Sequence, residues 1–208
     1  MTLEDAIAAC PIMAILRGVT PEEILDITAA LFHAGVRAVE VPLNSPDPFT
    51  SIGRLSHAYG AQMCCGAGTV LQPGDVDRVA DAGGRVIVSP NVNPAVIAQT
   101  VQRGLEPAPG FATATEAYMA VDAGARHLKL FPAITYGPGH LKQLNAVLPR
   151  GVAVWAVGGV GAANLADWRR AGARAFGIGG ELYVAGQSAA ETEHKARALV
   201  KAAQSLPT

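Results

Sequence analysis

Lys129 stands in the middle of a short apolar run, His127-Leu128-Lys129-Leu130-Phe131. At period two, Leu128 and Leu130 fall on one face and His127, Lys129 and Phe131 on the other. The pattern is that of a buried strand, and lysine is rarely buried without a reason. An ammonium walled by apolar neighbours loses hydration, so its pKa falls, and a nearby guanidinium lowers it further. The neutral amine is a nucleophile for a ketone or aldehyde and forms a Schiff base with it. Other residues of unusual type close or interrupt apolar runs: Arg17 in "AILRG", Glu40 in "AVEVPL" and Thr69 in "GAGT". Glu40 can move protons, and Arg17 offers a fork for a carboxylate. The pairs Gly158-Gly159 and Gly179-Gly180 let backbone N–H groups approach an anion with no side chain between. Such a set suits cleavage or formation of a C–C bond in a phosphorylated keto acid. The competing structural reading makes Glu40 and Lys129 a buried ion pair and Arg17 a strand cap. It carries less weight, because a buried pair adds little stability.

These residues need a frame that brings them together. Eight strand candidates run through the chain: 12–16, 38–43, 62–67, 85–89, 105–109, 127–131, 152–157 and 175–179. Between them the pattern is helical. "PEEILDITAALFHAG" opens with a proline and two glutamates, favourable in a first helical turn, and then repeats Ile24, Ile27, Ala30 and Leu31 at helical spacing. "PGDVDRVADAGG", "NPAVIAQTVQRG", "TATEAYMAVDAG" and "GAANLADWRRAG" repeat the theme. Glycines such as Gly35, Gly60, Gly83, Gly104, Gly124, Gly151 and Gly172 precede the strands, the expected place for a left-handed residue that ends a helix. Strand alternating with helix implies parallel pairing by right-handed crossovers. Eight such units in one stretch, residues 1–208, describe an α/β fold of the closed (β/α)₈ barrel type, whose chemistry sits at the carboxyl ends of the strands. An open doubly wound sheet is the alternative. "GAGTV" is no dinucleotide fingerprint, so a Rossmann reading is weak.

The bulk composition narrows the partners. Half of the 208 residues are apolar, 16% are charged and the net charge is −1, so nothing global points to nucleic acid or an anionic membrane. Cys10, Cys64 and Cys65 form no disulfide framework, and no Cys or His spacing resembles a structural zinc site. No basic-then-apolar leader and no apolar run of membrane length is visible. A reducing, cytoplasmic setting is expected. His33 and His57 fall in helical segments and are expected at the surface. His127 lies deeper on the lysine strand, Cys64 and Cys65 look like small core residues, and Trp155 looks like packing.

The sequence also resembles the 2-keto-3-deoxy-6-phosphogluconate and 2-keto-3-deoxy-6-phosphogalactonate aldolases. The resemblance spans nearly the whole chain through "AILRG", "VEVPLNSP", "GAGTVL", "SPN", "PGFATATEA", "LKLFPA", "WAVGGV" and "GIGGELY", in that order. It implies a class I aldolase on a (β/α)₈ TIM barrel with an extra N-terminal helix, a homotrimer, with no metal and no cofactor. It implies Lys129 as the Schiff-base lysine and Glu40 as the acid/base, with Arg17 and Thr69 around the substrate carboxylate. Gly158, Gly159, Gly179 and Gly180 match the phosphate loops. Family members commonly carry serine where this chain has Gly180, so one hydroxyl donor to phosphate is missing. The gluconate branch tends to carry threonine directly before the first glycine pair and the galactonate branch valine; here it is Val157, and "VPLNSP" also looks like the galactonate branch. The implied reaction cleaves the phosphorylated keto acid to pyruvate and glyceraldehyde 3-phosphate. Competing readings are the gluconate substrate or both epimers, an isomerase or epimerase without a covalent lysine, and a non-catalytic sugar-phosphate binder. The lysine on a strand weighs against the last two, since neither needs an amine nucleophile.

Overall fold

The computed structural model describes residues 1–206; the last two residues of the expected 1–208 domain lie outside the described residues. Its strands are β1 (Ile12–Ile15), β2 (Ala38–Pro42), β3 (Cys64–Gly68), β4 (Val86–Val88), β5 (Glu106–Ala108), β6 (Gly110–Phe111), β7 (His127–Leu130), β8 (Ala153–Val157) and β9 (Ala175–Ile178). All pair in parallel within one sheet of order β5-β4-β3-β2-β1-β9-β8-β7-β6. The two edge strands are consecutive in the chain, so the sheet meets itself and closes as the expected barrel. The strand expected over 105–109 ends at Ala108, and a further short strand, β6, follows beyond its expected end, which gives nine strands among the described residues instead of eight. Pro109 separates the two: it has no N–H to donate to a ladder, while its carbonyl still accepts from the Lys129 N–H at 2.9 Å. β5 pairs with β4 and β6 with β7.

Period-two alternation sorts the side chains into two cores. Ala14, Val39, Val41, Leu128, Leu130, Val154, Ala156, Phe176 and Ile178 pack outward under the helices. Met13, Ala38, Cys64, Val86, Val88, Ala108, Trp155, Val157 and Ala175 fill the interior. Leu3, Ala6 and Ile7 of α1 (Leu3–Ala9) join the interior group, so this extra N-terminal helix plugs the bottom of the barrel. Because Leu128 and Leu130 take the outer face of β7, Lys129 must point inward.

The remaining helices are α2 (Ile24–Ala34), α3 (Pro48–Tyr59), α4 (Pro73–Asp81), α5 (Pro94–Gln102), α6 (Ala114–Asp122), α7 (Ala133–Asn145), α8 (Leu165–Arg170) and α9 (Ala189–Gln204). α6 starts on a capping box between Thr113 and Glu116. α2 begins later than its proline and glutamates suggest: residues 21–23 form a turn, Glu23 stands at the cap and the Tyr183 hydroxyl donates to its carboxylate. α8 covers only part of its expected segment. Six of the seven glycines ahead of strands are left-handed; Gly60 is the exception, with φ −59°. The bend inside α7 falls at Gly137, where φ is 77°, directly before Pro138. Among the described residues no helix is long and apolar enough to cross a membrane.

Candidate active site

Barrel closure brings β2 and β7 face to face across the interior. In a flat sheet of the same order they would stand four strand spacings apart, roughly 19 Å at about 4.8 Å each. Here Glu40 and Lys129 sense each other's charge, and Arg17 acts on both. Glu40 is 2% exposed and Lys129 6%. Burial pushes the Glu40 carboxyl up to about 7, against the downward pull of Lys129 and then Arg17. Burial likewise holds Lys129 below its ordinary range, opposed by Glu40 and assisted by Arg17. No direct ion pair within 4.0 Å joins Lys129 to Glu40, and Glu40 Oε2 has no hydrogen-bond partner. A structural ion pair would be closed; these groups are held apart, and the unpartnered carboxylate oxygen lies against Gly68. The Lys129 ammonium lies 4.5 Å from the centre of the Phe131 ring.

The mouth above them is a cavity of about 190 Å³ lined by Glu40, Lys129, Arg17, Phe131, Val157 and the glycines 158, 159, 179 and 180, among others. Arg17 is steered by the loop after β2: its Nη1 donates to Asn44 Oδ1 at 2.6 Å, and the Gly18 N–H donates to Ser45 Oγ at 2.9 Å. Gly158 and Gly159 have φ of 95° and 74°. A Cβ on Gly159 would also lie 2.6 Å from Ile134 Cβ, so the loop has no room for one. Gly180 differs: a Cβ there meets nothing within 4 Å. Val157 opens onto the mouth, and a Cβ on Gly177 beside it would come within 2.7 Å of its Cγ2. Thr69 is the one candidate not gathered here. It follows β3, half-buried, and does not line the cavity. Its φ of 56° is unusual for a β-branched residue; such conformations cost of order 1–3 kcal/mol and cluster at functional sites.

Several residues at the site show their place only in the fold. Gly68 is the most important: a Cβ at this position would overlap the Glu40 carboxyl. The signal lies in the second glycine of "GAGT", directly before Thr69. Asn44 and Ser45 were visible in "LNSP" without a geometric role. Glu181 and Ile15 also line the mouth, and nothing in their sequence context marks them. His127 lies at the bottom of β7, edge-on to Trp155 with ring centres 5.4 Å apart. His33 and His57 are exposed, and Cys64 and Cys65 are buried, as expected. Among the described residues no three His, Cys, Asp or Glu side chains gather as a metal site.

A depressed buried amine, a raised carboxyl, a guanidinium at the rim and bare glycine backbone can together form an imine, move a proton and hold an anionic substrate. The family model for KDPG and KHG aldolase matches residues 3–198. The chain belongs to the KDPG and KHG aldolase family. It is 50% identical over 192 residues, 92% of this chain and 94% of the relative, to the 2-dehydro-3-deoxy-6-phosphogalactonate aldolase of Escherichia coli K12. It is 47% identical, over 92% of this chain and 91% of the relative, to the probable 2-dehydro-3-deoxy-6-phosphogalactonate aldolase of Rhizobium meliloti. The solved native KDPGal structure superposes with a TM-score of 0.92 at 49% identity, covering 93% of this chain and 94% of that one.

Two outcomes follow for this family member. Gly68→Ala should displace the Glu40 carboxyl and reduce aldol turnover by roughly 10² or more, the loss associated with a mispositioned acid/base, while circular dichroism stays native. Turnover within a few-fold of the parent would separate Gly68 from Glu40. The second concerns pH. Glu40 ionises near 7 in the fold and at 4.5 when unperturbed. The folded state therefore holds the proton more tightly, and this contribution to stability is full below about 4.5 and lost as pH rises through 7. Glu40→Gln should flatten the fall in Tm between pH 5 and pH 8 measured for the parent protein; parallel Tm profiles would contradict the assignment.

Proposed function

We propose that this protein is a class I aldolase that cleaves 2-dehydro-3-deoxy-6-phospho-D-galactonate to pyruvate and D-glyceraldehyde 3-phosphate, with Lys129 as nucleophile and Glu40 as acid/base. The observation that carries the reading is the buried Lys129 amine, lowered in pKa, facing a raised carboxyl with which it makes no ion pair. Lys129 Nζ adds to the C2 ketone, and loss of water gives an iminium. Glu40 takes the proton of the C4 hydroxyl, directly or through a water. The C4–O bond becomes a carbonyl, the C3–C4 bond breaks and its electron pair enters the iminium, leaving an enamine on Lys129. Protonation of the enamine at C3 and addition of water release pyruvate and the free amine.

Arg17, fixed by Asn44, is the proposed carboxylate partner together with Thr69, which directly follows β3. The backbone at Gly158, Gly159, Gly179 and Gly180 is the proposed phosphate cradle. With no hydroxyl at position 180, phosphate relies there on backbone donors; the open space around Gly180 would accept a serine. The chain is proposed to act as one catalytic domain, in a reducing, cytoplasmic setting consistent with its three free cysteines. It is further proposed to assemble as a homotrimer. The exposed Ile134, at 64%, and Val147, at 54%, are apolar surface that such an assembly would cover.

The decisive experiment is borohydride reduction with pyruvate followed by mass spectrometry. One covalent adduct should map to the peptide holding Lys129; an unchanged mass, or an adduct on Lys142, would remove the assignment. Substrate preference rests on Val157 and on the names borne by the two relatives at 50% and 47% identity. The galactonate and gluconate compounds differ at C4, where a threonine hydroxyl could donate and valine offers only apolar contact. One hydrogen bond contributes about 0.5–1.5 kcal/mol net, so kcat/KM should favour the galactonate epimer by about tenfold rather than absolutely. Val157→Thr should move the ratio toward the gluconate epimer. A native preference for gluconate would overturn the substrate and leave the aldol chemistry standing.

A further inference from the structure

The opposite end of the barrel carries charges for which the aldol chemistry has no use. Below β7, β8 and β9 a cleft of about 520 Å³ opens on the N-terminal face, far larger than the mouth. Arg126, Arg169, Arg174 and His127 line it, and Glu4 of α1 is the one carboxylate among its lining residues. Three guanidiniums less one carboxylate leave an excess of two positive charges before His127 is counted.

The polar groups of the cleft are incompletely used. Arg126 Nη1 donates to the Val121 and Ala125 carbonyls at 3.3 and 2.9 Å, and Arg169 Nη1 donates to Ala173 at 3.2 Å and Arg174 at 3.5 Å. Arg169 Nε is buried with no partner, and so is His127 Nδ1 on a residue only 7% exposed. His127 Nε2 stands 3.7 Å from Glu4. Among the described residues the Arg174 side chain makes no hydrogen bond and no ion pair, although it is close enough to Arg169 to lower its pKa, second to burial. Arg169 and Arg174 repel each other and neither is paired with a carboxylate, and an anion bridging them would relieve that repulsion. Their planar forks match phosphate oxygens in pairs.

We propose that this cleft is a second anion site, which binds a small phosphate monoester among Arg126, Arg169 and Arg174. The excess of two charges balances a monoester, about −1.5 to −2 near neutral pH. The volume lies in the usual range of small-molecule sites, about 300–1,000 Å³, so it takes an organic body as well as the phosphate. The ligand class is therefore a small phosphorylated metabolite held from below, independent of the substrate held above.

Glycerol 3-phosphate is a suitable probe, titrated by calorimetry in chloride buffer at constant ionic strength. Arg174→Glu is the cleanest variant, because that side chain is exposed and holds nothing in place. It should weaken one class of binding by about tenfold or more, the scale of one lost charged hydrogen bond, with kcat and KM for cleavage unchanged. Arg126→Ala should weaken the same class. Gly159→Ala, which obstructs the upper loop, should leave it intact. Binding identical in the parent and both arginine variants, or lost only with Gly159→Ala, would overturn the site; so would no binding at millimolar probe.

Discussion

The separation between Glu40 and Lys129 is the constraint on which the rest of the molecule depends. Two buried, oppositely charged groups gain most by collapsing onto each other, yet here each is held to its own wall of the barrel. Lys129 is fixed by a strand whose outer face is committed to Leu128 and Leu130. Glu40 is seated against Gly68, where only a hydrogen atom leaves space for a carboxylate. Uncollapsed charge in a buried interior is costly, and that cost shifts the amine toward its neutral, nucleophilic form and brings the carboxyl to about 7, where it can exchange a proton near neutral pH. A side chain at position 68 would expel the carboxylate, and a strand register shifted by one would turn the lysine into the helical layer.

The two ends of the barrel divide the work. At the carboxyl ends the chain uses glycines with left-handed backbone, a strained Thr69 and a tethered Arg17, features that cost stability. At the other end it recovers order with a repeated device. Arg37 and Arg126 each precede a strand, and each donates from Nη1 to the carbonyl five residues back and the one immediately before. The guanidinium thus caps the preceding helix and places a cation where the helix dipole favours one. Arg174 occupies the same position before β9 and makes neither bond. That departure leaves its charge free in the lower cleft.

Much of this was legible in the sequence because the barrel repeats a local rule. Strand positions, the inward face of β7 and the convergence of Arg17, Glu40, Lys129 and the glycine pairs all follow from period-two patterning and βα punctuation. What was not legible depends on long-range contact. The break at Pro109 arises because β5 and β6 pair with different neighbours. Gly68 shows its purpose only when β2 lies beside β3, and Glu181 reaches the mouth through the geometry of a loop. Thr69 has the right place in the chain but stops short of the cavity wall, a distinction that spacing does not resolve.

The plug formed by α1 has a kinetic consequence. With Leu3, Ala6 and Ile7 sealing the bottom, and Trp155 and Met13 filling the middle, the chamber has a single doorway. A fragment bonded to Lys129, as proposed, would sit at the closed side of the mouth cavity, with its partner fragment toward the opening. On the proposed chemistry, the larger fragment is then nearer the exit than the carbon bonded to the amine, so release of the aldehyde half ahead of pyruvate needs no rearrangement of the barrel. A barrel stoppered at one end thus sets the direction of approach and departure at its open end through packing alone.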